Sequence, residues 1–336
     1  MTAYYRPIPL ADAVRLPGAL RLAGGWCRFA QVEVLSRRRS PQVIAVADLP
    51  SDVRDLLTAP RPPVAGLAMD RPQIMGILNV TQDSFSDGGL FDGAAAAVAQ
   101  GLAMHAAGAD LIDVGGESTR PGAALIPDAE ETARTQPVVQ ALAARGVAVS
   151  IDTRKAAVAQ AALDAGAVLV NDVSAMTWDA DMARVVADSG AAICLMHAQG
   201  DPATMQSDPR YDDVVLDVYD HLSARIDAAL AAGIARDRIV VDPGIGFGKT
   251  QAHNLALLRR LSLFHALGCP VLLGASRKRF IGTITDTPLA ADRVAGSLAV
   301  TLAGVAQGVQ IHRVHDTHHT VAALAMMQAL GGEHDD

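Results

Sequence analysis

From Gln73 onward the chain alternates short apolar runs with longer segments whose apolar residues recur every three or four positions. The runs are Ile74-Met75-Gly76-Ile77-Leu78, Leu111-Ile112-Asp113-Val114, Val147 to Ile151, Val168-Leu169-Val170, Ala191 to Met196, Ile239-Val240-Val241, Val271-Leu272-Leu273 and Val309-Gln310-Ile311. Each is short, and apolar residues dominate both faces, as in strands buried on both sides. The intervening segments carry helix signals. Asp128 with Glu131 reads as a capping box, and Thr287-Pro288 as an N-cap followed by a first-turn proline. Val214, Val218, Leu222, Ile226 and Ala229 fall on one stripe. This alternation predicts an α/β fold, a closed (β/α)₈ TIM barrel over residues 71–332. An open, doubly wound sheet is the alternative that the pattern leaves.

Residues 1–70 have another character. Short β-like runs, Trp26 to Leu35 and Val43 to Val46, lie between turn-forming stretches, and Pro60-Arg61-Pro62-Pro63 closes the segment. A small β-rich N-terminal extension packed on the main domain is expected, with no function assigned to it.

Composition narrows the function classes. Half of the 336 residues are hydrophobic, ample for one large core, and aromatics make up only 4 %. Asp and Glu outnumber Lys and Arg by 36 to 28, so most of the surface would repel a phosphate backbone and nucleic acid is an unsuitable partner. Cys27, Cys194 and Cys269 have neither metal-ligand spacing nor an even count, and read as buried thiols in a reducing cytosol. Met1 to Leu10 lacks a basic start followed by an apolar run. Charges interrupt the apolar stretches well before the roughly 20 residues that a membrane span needs. A cytoplasmic protein without membrane contact is expected.

In a barrel of this kind chemistry collects at the C-terminal ends of the strands. Polar residues do gather there. The first run ends in Asn79, with Thr81, Asp83, Ser84 and Asp87 beyond it. The second leads into Gly115-Gly116-Glu117-Ser118-Thr119-Arg120-Pro121-Gly122, the third into Asp152-Thr153-Arg154, the fourth into Asn171-Asp172 and the fifth into His197. The last three give Asp242-Pro243-Gly244, Ser276-Arg277-Lys278-Arg279 and Arg313-Val314-His315-Asp316. Cations after the last two strands suit a phosphate, while carboxylates and an amide on the other wall suit a flat ring rich in N–H donors. Together they suggest a phosphorylated heterocycle.

Three patterns point elsewhere and are set aside. Gly248-Lys249-Thr250 resembles the end of a phosphate loop, but Pro243 stands where the first glycine is required. His312, His315, His318 and His319 straddle a strand end and a helix start, so they cannot all face one metal ion. Lys278, flanked by two arginines, fits an anion or ring contact better than a Schiff base.

Taken in order, these fragments resemble the dihydropteroate synthases over about residues 73 to 330. They are Met75 to Thr81, Asp83 to Gly89, Asp113 to Gly122, Ser150 to Thr153, Val170 to Val173, Asp242 to Lys249, Ser276 to Lys278 and Arg313 to Asp316. The resemblance implies an enzyme joining 6-hydroxymethyl-7,8-dihydropterin pyrophosphate to p-aminobenzoate, with Mg²⁺ as cofactor and a homodimeric state. It implies Asp152, Lys278 and Arg313 as catalytic residues, and a pterin group of Asp152, Asn171, Met196, Asp242, Lys278 and Arg313. Asn79, Arg313 and His315 would hold pyrophosphate, with the metal at Asn79. Phe85, Asp87, Thr119, Arg120, Pro121, Phe247 and Arg279 would form the p-aminobenzoate site and its loops. Gln82 and Arg279 depart from the commoner proline and serine of the family. A pterin-dependent methyltransferase and a catalytically silent pterin-binding barrel are the rival readings.

Overall fold

The computed structural model describes residues 3–10, 16–80, 89–118, 125–200 and 204–331. Eight strands form one parallel sheet: β5 (Gln73–Asn79), β6 (Leu111–Gly115), β7 (Val149–Asp152), β8 (Leu169–Asp172), β9 (Ala192–Met196), β10 (Ile239–Asp242), β11 (Leu272–Leu273) and β12 (Ile311–Val314). Hydrogen bonding runs β10-β9-β8-β7-β6-β5-β12-β11, and a parallel bridge between Val241 and Val271 joins the two ends. The sheet is therefore a closed barrel, and the open-sheet alternative falls. Helices α2 (Gly89–Ala106), α3 (Asp128–Ala143), α4 (Ala156–Asp164), α5 (Met182–Ser189), α6 (Val214–Ala231), α7 (Gln251–Leu258), α8 (Arg279–Thr285), α9 (Val294–Val305) and α10 (Thr317–Gly331) lie between and after the strands.

Strand periodicity divides the core into two layers. One face of the strands gives Ile112, Val114, Val149, Ile151, Val170, Ile193, Leu195, Val241, Leu273 and Val314 to the large cluster shared with the helices. The other face gives Met75, Leu111, Leu169, Ala192, Cys194, Val240, Leu272 and Ile311 to a separate cluster that fills the barrel. Stepping two residues along the inward face from that apolar base reaches Asp113, Asn171, Asp242 and Arg313. The barrel is dry at its base and polar at its mouth.

The first 70 residues form a small antiparallel sheet and one helix. They comprise β1 (Tyr4–Pro9), β2 (Leu20–Arg21), β3 (Arg28–Leu35), β4 (Gln42–Ala45) and α1 (Ser51–Thr58). β3 pairs with β1 on one side and with β2 and β4 on the other. Phe29, Val32 and Leu57 pack with Ala266 of the barrel. Trp26 Nε1 donates to Val305 O at 2.9 Å, Ser262 Oγ to Pro7 O at 2.7 Å, and Arg61 Nη2 to His265 O at 2.8 Å. These partners precede β11 and β12, so the extension is anchored on the side opposite the polar mouth. Val64 and Met69, after the Pro-rich connector, enter the inner cluster from below.

Three sequence expectations need correction. The last strand begins at Ile311 and carries Arg313 within it, whereas Val309 and Gln310 lead into it. Asp128 does not cap α3, whose N-cap is Pro127 with no side-chain bond, and Glu131 turns inward to Lys155. Thr287-Pro288 does not start a helix, because Asp286 ends α8 in a left-handed conformation and the next α-helix, α9, begins at Val294. That crossover thus holds two helices. The stripe on α6 is buried as expected, and its Asp213 cap accepts from Val215 N and Leu216 N. All three cysteines are free and buried. Among the described residues no helix is long and apolar enough to cross a membrane.

Met69 is 2 % exposed against the inner cluster. Met69→Ala should cost about 2–5 kcal/mol through lost contacts and a residual cavity. Equilibrium urea unfolding checks this: the midpoint should fall with an unchanged slope.

Candidate active site

The centre of the mouth is a guanidinium. Arg313, on the inward face of β12, reaches past β5: its Nε donates to Asp113 Oδ2 at 2.5 Å and its Nη2 to Asp152 Oδ2 at 2.6 Å. Asn171 Nδ2 donates to the same Asp113 oxygen at 3.1 Å. One cation thus joins strands β6, β7 and β12, with β8 tied in through the amide. The second oxygens, Asp113 Oδ1 and Asp152 Oδ1, are buried without a hydrogen-bond partner. Buried acceptors in that condition are costly, and a ligand rich in donors would satisfy them.

A second group lies across the mouth. Asp242, 5 % exposed at the end of β10, accepts from Gly244 N at 2.7 Å through Oδ1. Gly274 lies beside it, where a Cβ would come into ordinary contact with Oδ2 at 3.6 Å. Lys278 Nζ donates to Ile245 O and stands 4.2 Å from the centre of the Phe247 ring. Met196, 3 % exposed, ends β9 beside them.

Burial tunes these groups. It lifts Asp152 to about 7, helped by the Asp113 charge and opposed by Arg313. Asp242 is also raised, chiefly by burial, although its bond from Gly244 and the charges of Lys278, Lys249 and Arg313 oppose the shift. Burial lowers Lys278 to about 7, with Asp242 and Asp152 holding it up and Arg313 pushing it down. Arg313 stays fully charged, because the carboxylates more than offset its desolvation. Shifts of this size in one cleft mark a candidate functional site.

The remaining expected residues divide. His315 meets Ser276, its N donating to Oγ at 3.2 Å and its Nδ1 lying 3.1 Å from the same oxygen. Asn79 is exposed at the end of β5. Phe247 is half-buried beside Lys278, while Arg279 is exposed on the first turn of α8. Phe85, Asp87, Thr119, Arg120 and Pro121, and the departure at Gln82, lie outside the described residues. His312 is buried in the β12 layer with Nε2 3.0 Å from Val309 O, and burial lowers it to about 4, so it is a neutral core residue. Among the described residues no three His, Cys, Asp or Glu side chains form a metal-binding group.

Three groups were missed in the sequence. Asp113 was seen only as part of a motif, yet it shares the inward parity of Leu111, and that period of two was signal enough. Lys155 donates to Glu117, Glu131 and Ile126 O, each at 2.6 to 2.7 Å, and Arg154 adds a bond to Glu117 at 3.0 Å. Lys249 is buried under the loop that follows β10. Neither lysine's partners could be read from its immediate neighbours.

Residues 75–315 match the model of the pterin-binding enzymes. The dihydropteroate synthase of Neisseria meningitidis serogroup B is 46 % identical over 270 residues, covering 79 % of this chain and 95 % of that protein. The chain belongs to the dihydropteroate synthases. The enzyme of Escherichia coli K12 is 44 % identical over 264 residues, 78 % of this chain and 93 % of its own. The solved Xanthomonas albilineans dihydropteroate synthase with 4-aminobenzoic acid superposes with a TM-score of 0.75 at 47 % identity, covering 80 % of this chain and 97 % of that one. Another structure of that enzyme, in complex with 7,8-dihydropteroate, gives 0.71 at 42 % identity. The family match begins at residue 75, after the extension.

Within this dihydropteroate synthase site, Asp113→Asn removes one of the two carboxylates around Arg313. Asp152 loses a repelling neighbour and gains a larger share of the guanidinium, so it should titrate lower than in the wild type. NMR titration of ¹³C-labelled aspartate carboxylates reads this directly. A midpoint that stays or rises would contradict the account of the shift.

Proposed function

We propose that the mouth binds 6-hydroxymethyl-7,8-dihydropterin pyrophosphate and transfers its pterinylmethyl group to p-aminobenzoate, giving 7,8-dihydropteroate and pyrophosphate. The observation that carries this reading is the set of unmatched acceptors. Asp113 Oδ1 and Asp152 Oδ1 are buried without partners, and Asp242 stands 5 % exposed across the mouth. A pterin presents an amino group and ring N–H groups along one edge. Asp242 is placed to accept that paired edge, Asn171 Oδ1 to accept a further donor, and Met196 to pack on the ring face. Arg313, which the carboxylates hold near the ring, and His315 with Ser276 lie towards the pyrophosphate.

The chemistry follows from that placement. The bond between the pterin methylene and the pyrophosphate oxygen breaks, and its electron pair leaves with pyrophosphate. The methylene, left cationic, is stabilised by the neighbouring Asp152 carboxylate in a site of low dielectric. The arylamine nitrogen forms the new C–N bond and releases a proton. No protein nucleophile is needed. Lys278 and Phe247 line the side from which the arylamine approaches. The exposed amide of Asn79 fits Mg²⁺, an ion that typically takes few protein ligands and completes its shell with substrate phosphates and water. When bound, the ion would offset charge on the departing pyrophosphate.

Two coarser features complete the reading. A homodimer is supported by the outer face of α9, where Ala295, Ala299 and Ala303 are exposed at intervals of four among other apolar residues. A cytoplasmic location is supported by the three buried free thiols.

The defining experiment follows pyrophosphate release with and without p-aminobenzoate in Mg²⁺. Release that depends on p-aminobenzoate and yields dihydropteroate is expected. Tight pterin pyrophosphate binding without turnover would favour a silent barrel. Asp242→Ala should weaken pterin binding by about 2–4 kcal/mol, because the ring's donors are left buried and unpaired. Near-normal affinity by calorimetry would remove Asp242 from the site.

The profile of kcat/KM against pH should be bell-shaped around about 7, from Asp152 raised to about 7 and Lys278 lowered to about 7. Asp152 gains its working charge as pH rises through that value, and Lys278 loses its own over the same range. Asp152→Asn should therefore abolish the acid limb and Lys278→Met the alkaline one. An acid limb that survives in Asp152→Asn would belong to the substrate's phosphates instead.

A further inference from the structure

Lys249 is 3 % exposed, and among the described residues its bonding partners are all neutral. Its ammonium donates to the Nδ1 of His197 at 2.8 Å, and to the carbonyls of His197 at 3.2 Å, Gly244 at 2.9 Å and Phe247 at 3.0 Å. Burial lowers its pKa well below that of a free lysine. A cation enclosed by neutral acceptors is a costly device for filling space, and a methionine would fill the same volume more cheaply. The bonds themselves must matter.

They cross-link a loop that approaches the neighbouring chain so closely that only glycine fits at its contact points. Residues 244–250 leave β10 with Gly244, Gly246 and Gly248 all at positive φ, +67°, +85° and +62°. A Cβ on Gly244 would lie 1.9 Å from His197 O, and one on Gly248 would lie 2.5 Å from Gln199 O. The loop is therefore pressed flat against the chain that leaves β9. Lys249 closes this contact from beneath, tying 197, 244 and 247 to a single atom. His197 meets the edge of His221, 4.7 Å away between ring centres, and burial keeps its imidazole neutral; facing an ammonium, which only donates, its Nδ1 is the acceptor. The upper surface of the same loop carries Ile245 O, which accepts from Lys278, and the Phe247 ring beneath Lys278.

We infer that Lys249 is a positioning residue for the second substrate: it sets the loop that places Phe247 and the Ile245 carbonyl against Lys278, and so shapes the face that receives the arylamine. The inference rests on the synthase reading of the mouth. It separates two functions in one loop, because Asp242 at its start serves the pterin while Lys249 at its end serves p-aminobenzoate.

Steady-state kinetics of Lys249→Met tests it in the full-length enzyme. The KM for p-aminobenzoate should rise about tenfold or more, while the Kd for pterin pyrophosphate by calorimetry stays within about threefold. In a Phe247→Ala background the same substitution should add less than about threefold to that KM, because its effect passes through the ring. Lys249→Gln, which keeps a donor for part of the acceptor set, should fall between the two and serves if the methionine variant does not fold. A loss confined to kcat or to the active fraction overturns the inference, as does an equal weakening of both substrates. So does a full effect in the Phe247→Ala background. A wild-type enzyme without turnover would overturn the synthase reading and this inference with it. A working wild type whose Lys249 variants keep their KM would overturn this inference alone.

Discussion

Arg313 spans a mouth of closely spaced buried charges. Asp113, Asp152 and Asp242 share the charges of Arg313, Lys278 and Lys249, and burial makes each uncompensated charge expensive. The guanidinium fixes the geometry because it is planar and permanently charged: two of its nitrogens meet carboxylates from two different strands. What it cannot do is satisfy every oxygen: one on Asp113 and one on Asp152 stay buried without partners. Those unmatched acceptors and the raised pKa of Asp152 have one cause, the crowding of carboxylates around a single guanidinium.

Around this centre, two buried lysines organise opposite sides of the rim in different ways. Lys155 is paired with the carboxylates Glu117 and Glu131, and burial is more than offset, so its pKa is raised. Among the described residues Lys249 bonds to carbonyls and an imidazole, and burial lowers its pKa. The first arrangement ties the chain after β6 to the chain after β7. The second ties the chain after β10 to the chain after β9. Loops at a barrel mouth have few apolar contacts of their own, and in both places a single ammonium supplies the cross-links that packing cannot.

The fold was legible because the period of two and the alternation with helical stretches are local signals. All eight strands were found, and polar residues do collect at their ends. The last strand was misplaced for a physical reason. Gln310 looks like strand interior, but it serves the junction, with Oε1 accepting from Val271 N and its carbonyl accepting from Gln73 N. His312 looks like a strand end, yet it is a neutral residue buried in the wall. Glu131 was read as a cap because nothing nearby announces Lys155, 24 residues later. Lys249 looks in the sequence like the end of a failed phosphate loop, and its side-chain partner His197 lies 52 residues earlier. Groups whose roles come from tertiary contacts leave no local trace.

The extension belongs to the opposite end of this division of labour. It lies before the region shared with the pterin-binding enzymes, yet Phe29 and Leu57 are fully buried in it and Trp26 bonds to the end of α9. Its contacts fall on the turns that precede β11 and β12, on the base of the barrel and, through Tyr4 and Arg37, on Asp217 and Asp220 of α6. Barrels separate a stabilising face from a reactive one, so chain can be added at the base without moving a residue of the mouth. The added layer extends the core on that face, where Phe29, Val32 and Leu57 pack with Ala266.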